Sequence, residues 1–224
     1  MCRQRPACSE LPADPAEWSR TCPLPRPGWF DAQLEVFEQA LSALAMDDRA
    51  RGLARLAEIP SAEMQTWYIE HGQMAGMHRV NRLGTPNPIS VPDHQLDMRR
   101  SPRRHEREVY TRDGFRCRYC GSRLIEPMVL AAFAARVGGP EFEKGSTNLT
   151  THGMILAFHP VVDHVIPWRV GGRTAPGNLV SACWPCNYGK SGYTIEQLGI
   201  ENPFARPPVV DAWDGFASYL EALR

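Results

Sequence analysis

The chain has 224 residues, 20 prolines and equal numbers of basic and acidic side chains, so its formal net charge is zero. That length suits one or two domains with a sizeable core. No run of about 18 apolar residues marks a transmembrane helix, and the N-terminus lacks the apolar stretch of a secretory signal, so the expectation is a cytoplasmic chain in a reducing compartment.

Residues 1–28 hold six prolines, Cys2, Cys8 and Cys22 and no hydrophobic periodicity; they read as an extended or disordered leader with free thiols. Leu34, Phe37, Leu41 and Leu44 then recur at helical spacing behind Asp31. A second helix is expected over Arg49–Ile59, ending before Pro60. A third opens at Ser61 and carries Met64, Trp67, Tyr68, His71, Met74 and Ala75 on one stripe, stopping near Gly84 ahead of Pro86 and Pro88. His71 and His78 lie on that stripe or its edge and read as structural histidines. Residues 29–84 are thus expected to be a helical domain and 85–98 a linker.

The neutral total conceals an uneven distribution. Arg99 to Lys190 contains 14 Lys+Arg against 7 Asp+Glu, a local excess of +7 that suits a polyanion. This part opens with Ser101-Pro102, a cap and a helix-compatible proline, and runs as a helix to Asp113-Gly114. Met128–Val137, started by Pro127 and stopped by Gly138-Gly139, reads as a helix, followed by a polar loop from Pro140 to Gly153 that holds His152. Downstream, Thr194-x-x-Gln197 offers a capping box. Trp213, Phe216, Leu220 and Leu223 predict an amphipathic C-terminal helix behind Asp211.

Two cysteine pairs stand out: Cys117-Arg-Tyr-Cys120 and Cys183-Trp-Pro-Cys186. Each C-x-x-C can form a knuckle aimed at one ion, and two complete the closed tetrahedral shell that structural Zn²⁺ prefers. A redox dithiol would need only one pair. Between them come His159, Asp163-His164-Val-Ile-Pro167, Gly171-Gly172 and Asn178; beyond the second knuckle come Asn187 and Lys190-Ser191. Phosphodiester hydrolysis needs a base that works near neutral pH, which histidine supplies. It also needs a hard divalent ion with few protein oxygens and open positions. Asp163 and Asn187 offer those oxygens and His164 the base. They would meet if 155–166 and 178–183 paired as a hairpin with 184–190 as a helix against it. His159 falls on the same strand face as Asp163 and reads as a packed or solvent-edge histidine.

These residues, in this order, resemble the HNH endonuclease family, in its subgroup with two C-x-x-C knuckles. The likeness spans about 99–192 and includes Arg107-x-x-Val109-Tyr110-x-Arg112-Asp113-Gly114 before the first knuckle. It implies an α+β chain. A ββα-metal finger with a structural Cys₄ zinc site would be joined by the N-terminal helical domain and a C-terminal helical extension over 193–224. It further implies that His164 activates water, that Asp163 and Asn187 hold Mg²⁺ or Mn²⁺, and that Asn178 braces the loop and orients the histidine. The products would be 5′-phosphate and 3′-hydroxyl ends. The expected partner is nucleic acid, with double-stranded DNA the leading substrate. Arg103, Arg104, Arg107, Arg112, Arg116, Arg118, Arg169, Arg173 and Lys190 are the candidate phosphate contacts. The insertion at 122–158 is longer than the family pattern, and Trp168 reads as a core residue. The competing reading is a catalytically silent zinc-dependent binding module, or one recruited to a larger assembly by a protein partner through 29–84 or 211–224.

Overall fold

A computed structural model describes residues 5, 7–88, 90–92 and 101–223. The first half is helical: α1 (Trp29–Ala45), α2 (Arg49–Leu56), α3 (Ser61–Glu70) and α4 (Ala75–Leu83). Asp48 caps α2 by accepting from the Arg51 amide, and Gly84 ends α4 in the left-handed conformation that glycine adopts without a Cβ penalty. The expected single third helix is two. It breaks at His71 (φ −120°, ψ −58°), and a 3-10 turn over Gly72–Met74 intervenes. The break brings Gly72 against Trp67 and Pro185, where a Cβ would stand 3.1 and 3.3 Å from them.

The basic half begins with a 3-10 turn, Pro102–His105, capped by Ser101, and continues as α5 (Glu106–Arg112). Helix α6 (Pro127–Val137) occupies the span its sequence predicts, with the Glu126 carboxylate bonded to the Met128 and Val129 amides. A short α7 (Gly153–Phe158) precedes the hairpin of β1 (Pro160–His164) and β2 (Leu179–Cys183). The register pairs Pro160 with Cys183 and His164 with Leu179. The hairpin is shorter than the sequence suggests because 155–158 is helical, its turn opened by the His152 ring nitrogen accepting from the Met154 amide. Thus His152 is a helix cap rather than a bystander in a loop. Helix α8 (Trp184–Lys190) follows β2 without a break, and α9 (Ile195–Leu198) carries the Thr194/Gln197 capping box.

Two apolar clusters hold these elements. The larger joins Leu34, Phe37 and Leu41 of α1 to Val129 and Phe133 of α6, Leu156 and Phe158 of α7, and Phe216. The helical part and the insertion therefore share one core, with Phe37, Phe133 and Phe142 in ring contact. The smaller cluster surrounds the cysteine knuckles with Tyr119, Val180, Leu198 and Cys22.

Three further expectations need correction. Residues 7–28 are packed, with Cys8, Trp18, Cys22 and Leu24 all buried; Cys2 lies outside the described residues. Arg79 fixes this arm, its guanidinium donating to the Ser19, Cys22, Pro23 and Leu198 carbonyls and sitting 4.9 Å from the Trp18 ring. Charge-assisted bonds to main chain substitute for the missing periodicity. The C-terminal segment forms a 3-10 turn over Ala217–Tyr219, not an α-helix. Gly215 and Phe216 both take positive φ, which turns the chain so that Phe216 and Leu223 reach the core. Finally, the expected linker is partly pinned. Thr85 donates to the Gln197 carbonyl and the Val91 amide to that of Arg169, while 89 and 93–98 lie outside the described residues.

Candidate active site and thiolate cluster

Strand alternation sends consecutive side chains of β1 to opposite faces. Asp163 points inward and is nearly buried, whereas His164 is partly exposed. The Asp163 carboxylate accepts from the Tyr119 hydroxyl at 2.6 Å, and Lys190 Nζ stands 3.3 Å from its Oδ2. Burial pushes the Asp163 carboxyl above its usual range, and the Lys190 ammonium and Tyr119 hydroxyl oppose that rise. Lys190 is itself buried and donates to the His164 carbonyl at 2.8 Å, so the last residue of α8 ties that helix to the end of β1.

His164 Nε2 lies 2.8 Å from the Thr174 hydroxyl. Thr174 sits in the loop between the strands, which Asn178 closes. The Asn178 side chain accepts from the Ile166 amide (2.8 Å) and donates to the Ile166 and Arg173 carbonyls (both 3.0 Å). Gly172 is required inside this loop, since a Cβ there would come within 1.8 Å of the Ile166 carbonyl oxygen. Asn178 therefore acts on the backbone beside the histidine and on the loop that presents Thr174.

Asp163, His164, Asn187 and Lys190 line one cleft of about 890 Å³, together with Trp168 and Arg169. Trp168 thus belongs to the cleft wall rather than the core. His159 caps the end of α7 before the strand begins, its Nδ1 2.7 Å from the Pro160 carbonyl oxygen and its ring 5.9 Å from that of Trp184.

Behind the cleft, the sulfurs of Cys117, Cys120, Cys183 and Cys186 all lie within 4.8 Å of one another. The Cys120–Cys183 sulfur separation of 3.7 Å matches the tetrahedral edge of about 3.8 Å implied by Zn–S bonds near 2.3 Å. The cluster is compatible with a zinc site. Cys22 is a free thiol as expected, but it is buried beside this cluster in the smaller apolar group, and its thiol donates to the Ser19 hydroxyl.

The arginines divide. Arg112 binds Asp113 and the Pro176 and Leu179 carbonyls, Arg116 pairs with Asp211, and Arg118 holds the Pro203 and Arg206 carbonyls. These three, taken from sequence as phosphate contacts, are committed to the fold. Lys190 is likewise committed to Asp163 and the His164 carbonyl. Arg103, Arg104, Arg107, Arg169 and Arg173 are exposed. Sequence reasoning missed Tyr119 and Thr174. Tyr119 had one available signal, its place between Cys117 and Cys120, while Thr174 had none.

Residues 158–192 match the HNH endonuclease family model. This HNH segment contains both strands, the second knuckle and α8, so Asp163, His164, Asn178 and Asn187 all fall inside it, and Cys117 and Cys120 precede it. No curated protein and no solved structure matches the chain. Among the described residues no helix is long and apolar enough to cross a membrane.

Proposed function

We propose that the chain is a metal-dependent endonuclease that hydrolyses phosphodiester bonds, with DNA as the leading substrate. The observation that carries this reading is that Asp163, His164 and Asn187, all inside the HNH segment, line the same cleft. Asp163 and Asn187 form a hard-oxygen donor pair that suits Mg²⁺ or Mn²⁺. A carboxylate has room for further ligands beyond the contacts from Tyr119 and Lys190. When bound, the ion would supply charge neutralisation at the phosphoryl and leaving oxygens.

The chain's own residues supply the rest. His164 takes a proton from water, whose oxygen attacks phosphorus as the bond to the 3′ oxygen breaks; the departing 3′ oxygen takes a proton from solvent water, leaving 5′-phosphate and 3′-hydroxyl ends. The Thr174 hydroxyl at Nε2 orients the imidazole. Lys190 keeps Asp163 and the end of β1 in register with α8. Arg169 and Arg173 on the loop, Arg103 and Arg104 ahead of α5 and Arg107 in its first turn would meet flanking phosphates, with binding that weakens as salt rises. Residues 29–84 bury their apolar faces in the common core, which favours a buttress over a detachable recruitment module.

The test is plasmid cleavage by the full chain with Mg²⁺ or Mn²⁺, with and without chelator, beside His164→Ala and Asp163→Ala. Cleavage by the wild type alone is the expected result. Equal cleavage by wild type and His164→Ala would show that the base is misassigned.

A further inference from the structure

The cleft carries two aromatic side chains to which the hydrolytic step gives no task. Tyr188 follows Asn187 on α8 and Trp168 follows Pro167 on the loop, and both line the cleft with Asp163 and His164. Tyr188 is 48% exposed. Its plane is nonetheless fixed, because the rings of Trp184 and Tyr68 meet it at 62° and 82°, with centroids 5.7 and 6.3 Å away. Both of those rings are buried. A rigid ring held half in solvent offers a large contact face at little entropic cost.

Charge decides what such a face is for. Duplex binding draws its affinity from many cations set against phosphates, and paired bases stack on one another, out of reach of a ring in a cleft. Among the residues that line this cleft the lysine and arginine side chains are Arg169 and Lys190, and Lys190 is held by Asp163. One available guanidinium beside two aromatic rings is the balance of a single-strand site, where stacking holds bases of any identity. A second observation extends the strip. Lys144, exposed on the insertion, places its Nζ 5.3 Å from the centroid of Trp184, the ring that abuts Tyr188. A cation one ring beyond Tyr188 suits the phosphate of a neighbouring nucleotide, and it gives the insertion a part in the site.

We infer that the cleft seats a single unpaired DNA strand, with a base beside the scissile phosphate stacked on Tyr188 and a phosphate further along held by Lys144. The strand's role as substrate rests on the nuclease reading; its seating in the cleft does not. A relaxed duplex must unstack a base before it fits. A negatively supercoiled plasmid is underwound and opens more readily, so it remains a substrate.

The experiment titrates the full His164→Ala chain, with Mg²⁺ and at fixed salt, into a fluorescein-labelled strand of about 20 nucleotides and into its relaxed duplex. The single strand should bind about tenfold more tightly or better. Tyr188→Ala should weaken single-strand binding by about 5- to 150-fold, equivalent to about 1–3 kcal/mol for one stacked base. Tyr188→Leu, which keeps apolar bulk against Tyr68 and Trp184, should weaken it too, and Tyr188→Phe should hold it within about twofold. A 2-aminopurine base in the strand should lose fluorescence on binding when Tyr188 is present and keep it with Tyr188→Leu, which a merely structural role for the ring would not produce. Lys144→Ala should flatten the slope of log affinity against log salt by about 0.7. Duplex binding as tight as single-strand binding, or single-strand affinity unchanged in Tyr188→Leu, overturns the inference, and an unaltered salt slope in Lys144→Ala overturns the Lys144 contact. If these binding results hold but the wild-type chain cuts neither DNA, the nuclease reading fails and the seating of the strand stands.

Discussion

Replacing Gly76 by alanine should damage the active site from the far side of α8. Gly76 is the second residue of α4 and packs on the backbone of Gly189, two residues after Asn187. A Cβ at Gly76 would lie 2.0 Å from the Gly189 carbonyl oxygen. Ordinary carbon–oxygen contact is about 3.3 Å, so the two helices must part by about 1.3 Å. Two effects compete. Alanine favours a helix interior over glycine by about 1 kcal/mol, but overpacking costs about 1–3 kcal/mol. A carbonyl in a helix cannot rotate aside as a side chain can, so the clash wins. Gly76→Ala should lower unfolding stability by up to about 2 kcal/mol. Because misplacing a reacting group by about 1 Å can cost 10²-fold in rate, cleavage should fall more steeply than stability. Urea melts and Mg²⁺-dependent plasmid cleavage measure the two. Gly28→Ala is the control, since its Cβ would meet nothing within 4 Å. If Gly76→Ala matches the wild type in both assays, the helical part does not set the position of α8.

Tyr119→Phe removes the hydroxyl that donates to Asp163. A hydrogen bond to a charged group contributes about 1.5–3 kcal/mol, so stability should drop by about that amount. The Mn²⁺ concentration for half-maximal cleavage should also rise; an unchanged Mn²⁺ dependence would separate Tyr119 from the metal role assigned to Asp163. Removing zinc with a strong chelator, or by Cys117→Ser/Cys186→Ser, should unfold the HNH segment. Structural zinc contributes roughly 10 kcal/mol or more, comparable with the whole stability of about 5–15 kcal/mol, and a folded zinc-free variant in circular dichroism would refute this. Acid should destabilise the chain through His152 and His159, which burial holds down to about 4. Folded values below the usual 6.5 mean that the unfolded chain binds more protons. Stability is therefore full above about pH 6.5 and falls toward pH 4, by up to about 2 kcal/mol per histidine at pH 5. Replacing His152 with asparagine, which can cap α7 without titrating, should flatten the slope of melting temperature between pH 8 and 5.

What the sequence made legible is what depends on short spacing. The two C-x-x-C pairs, the helix from Pro127 to Val137 and the Thr194 capping box are each set by residues within a turn or two of one another, and each appears where its pattern predicts. The illegible parts depend on partners far along the chain. Arg112 and Arg118 looked like phosphate ligands because their charge is local information, while the carbonyls of Leu179 and Pro203 that use them lie 67 and 85 residues away. The proline-rich arm looked disordered because its order comes from Arg79, 60 residues from the Ser19 carbonyl it binds, and not from any repeat of its own. Likewise the C-terminal stripe announced burial correctly at Phe216 and Leu223 but not its geometry, since period 3.6 is satisfied by an apolar set whether or not the chain turns at Gly215.

The same distinction explains how this HNH segment is stabilised. A two-stranded hairpin is at best marginal alone, and here it gains support on two sides that no local pattern reveals. On one side the first knuckle reaches the carboxylate through Tyr119, which lies between Cys117 and Cys120. On the other, Gly72 and Gly76 let the helical part approach α8 at backbone distance. Asp163 therefore answers to the four-cysteine cluster and Asn187 to the helices. Disturbing either support should shift one member of the proposed divalent-ion pair relative to the other. Gly76→Ala and Tyr119→Phe combined should then weaken Mn²⁺ binding more than either alone, and a double variant no worse than Tyr119→Phe would show that the two supports do not meet at the same ion.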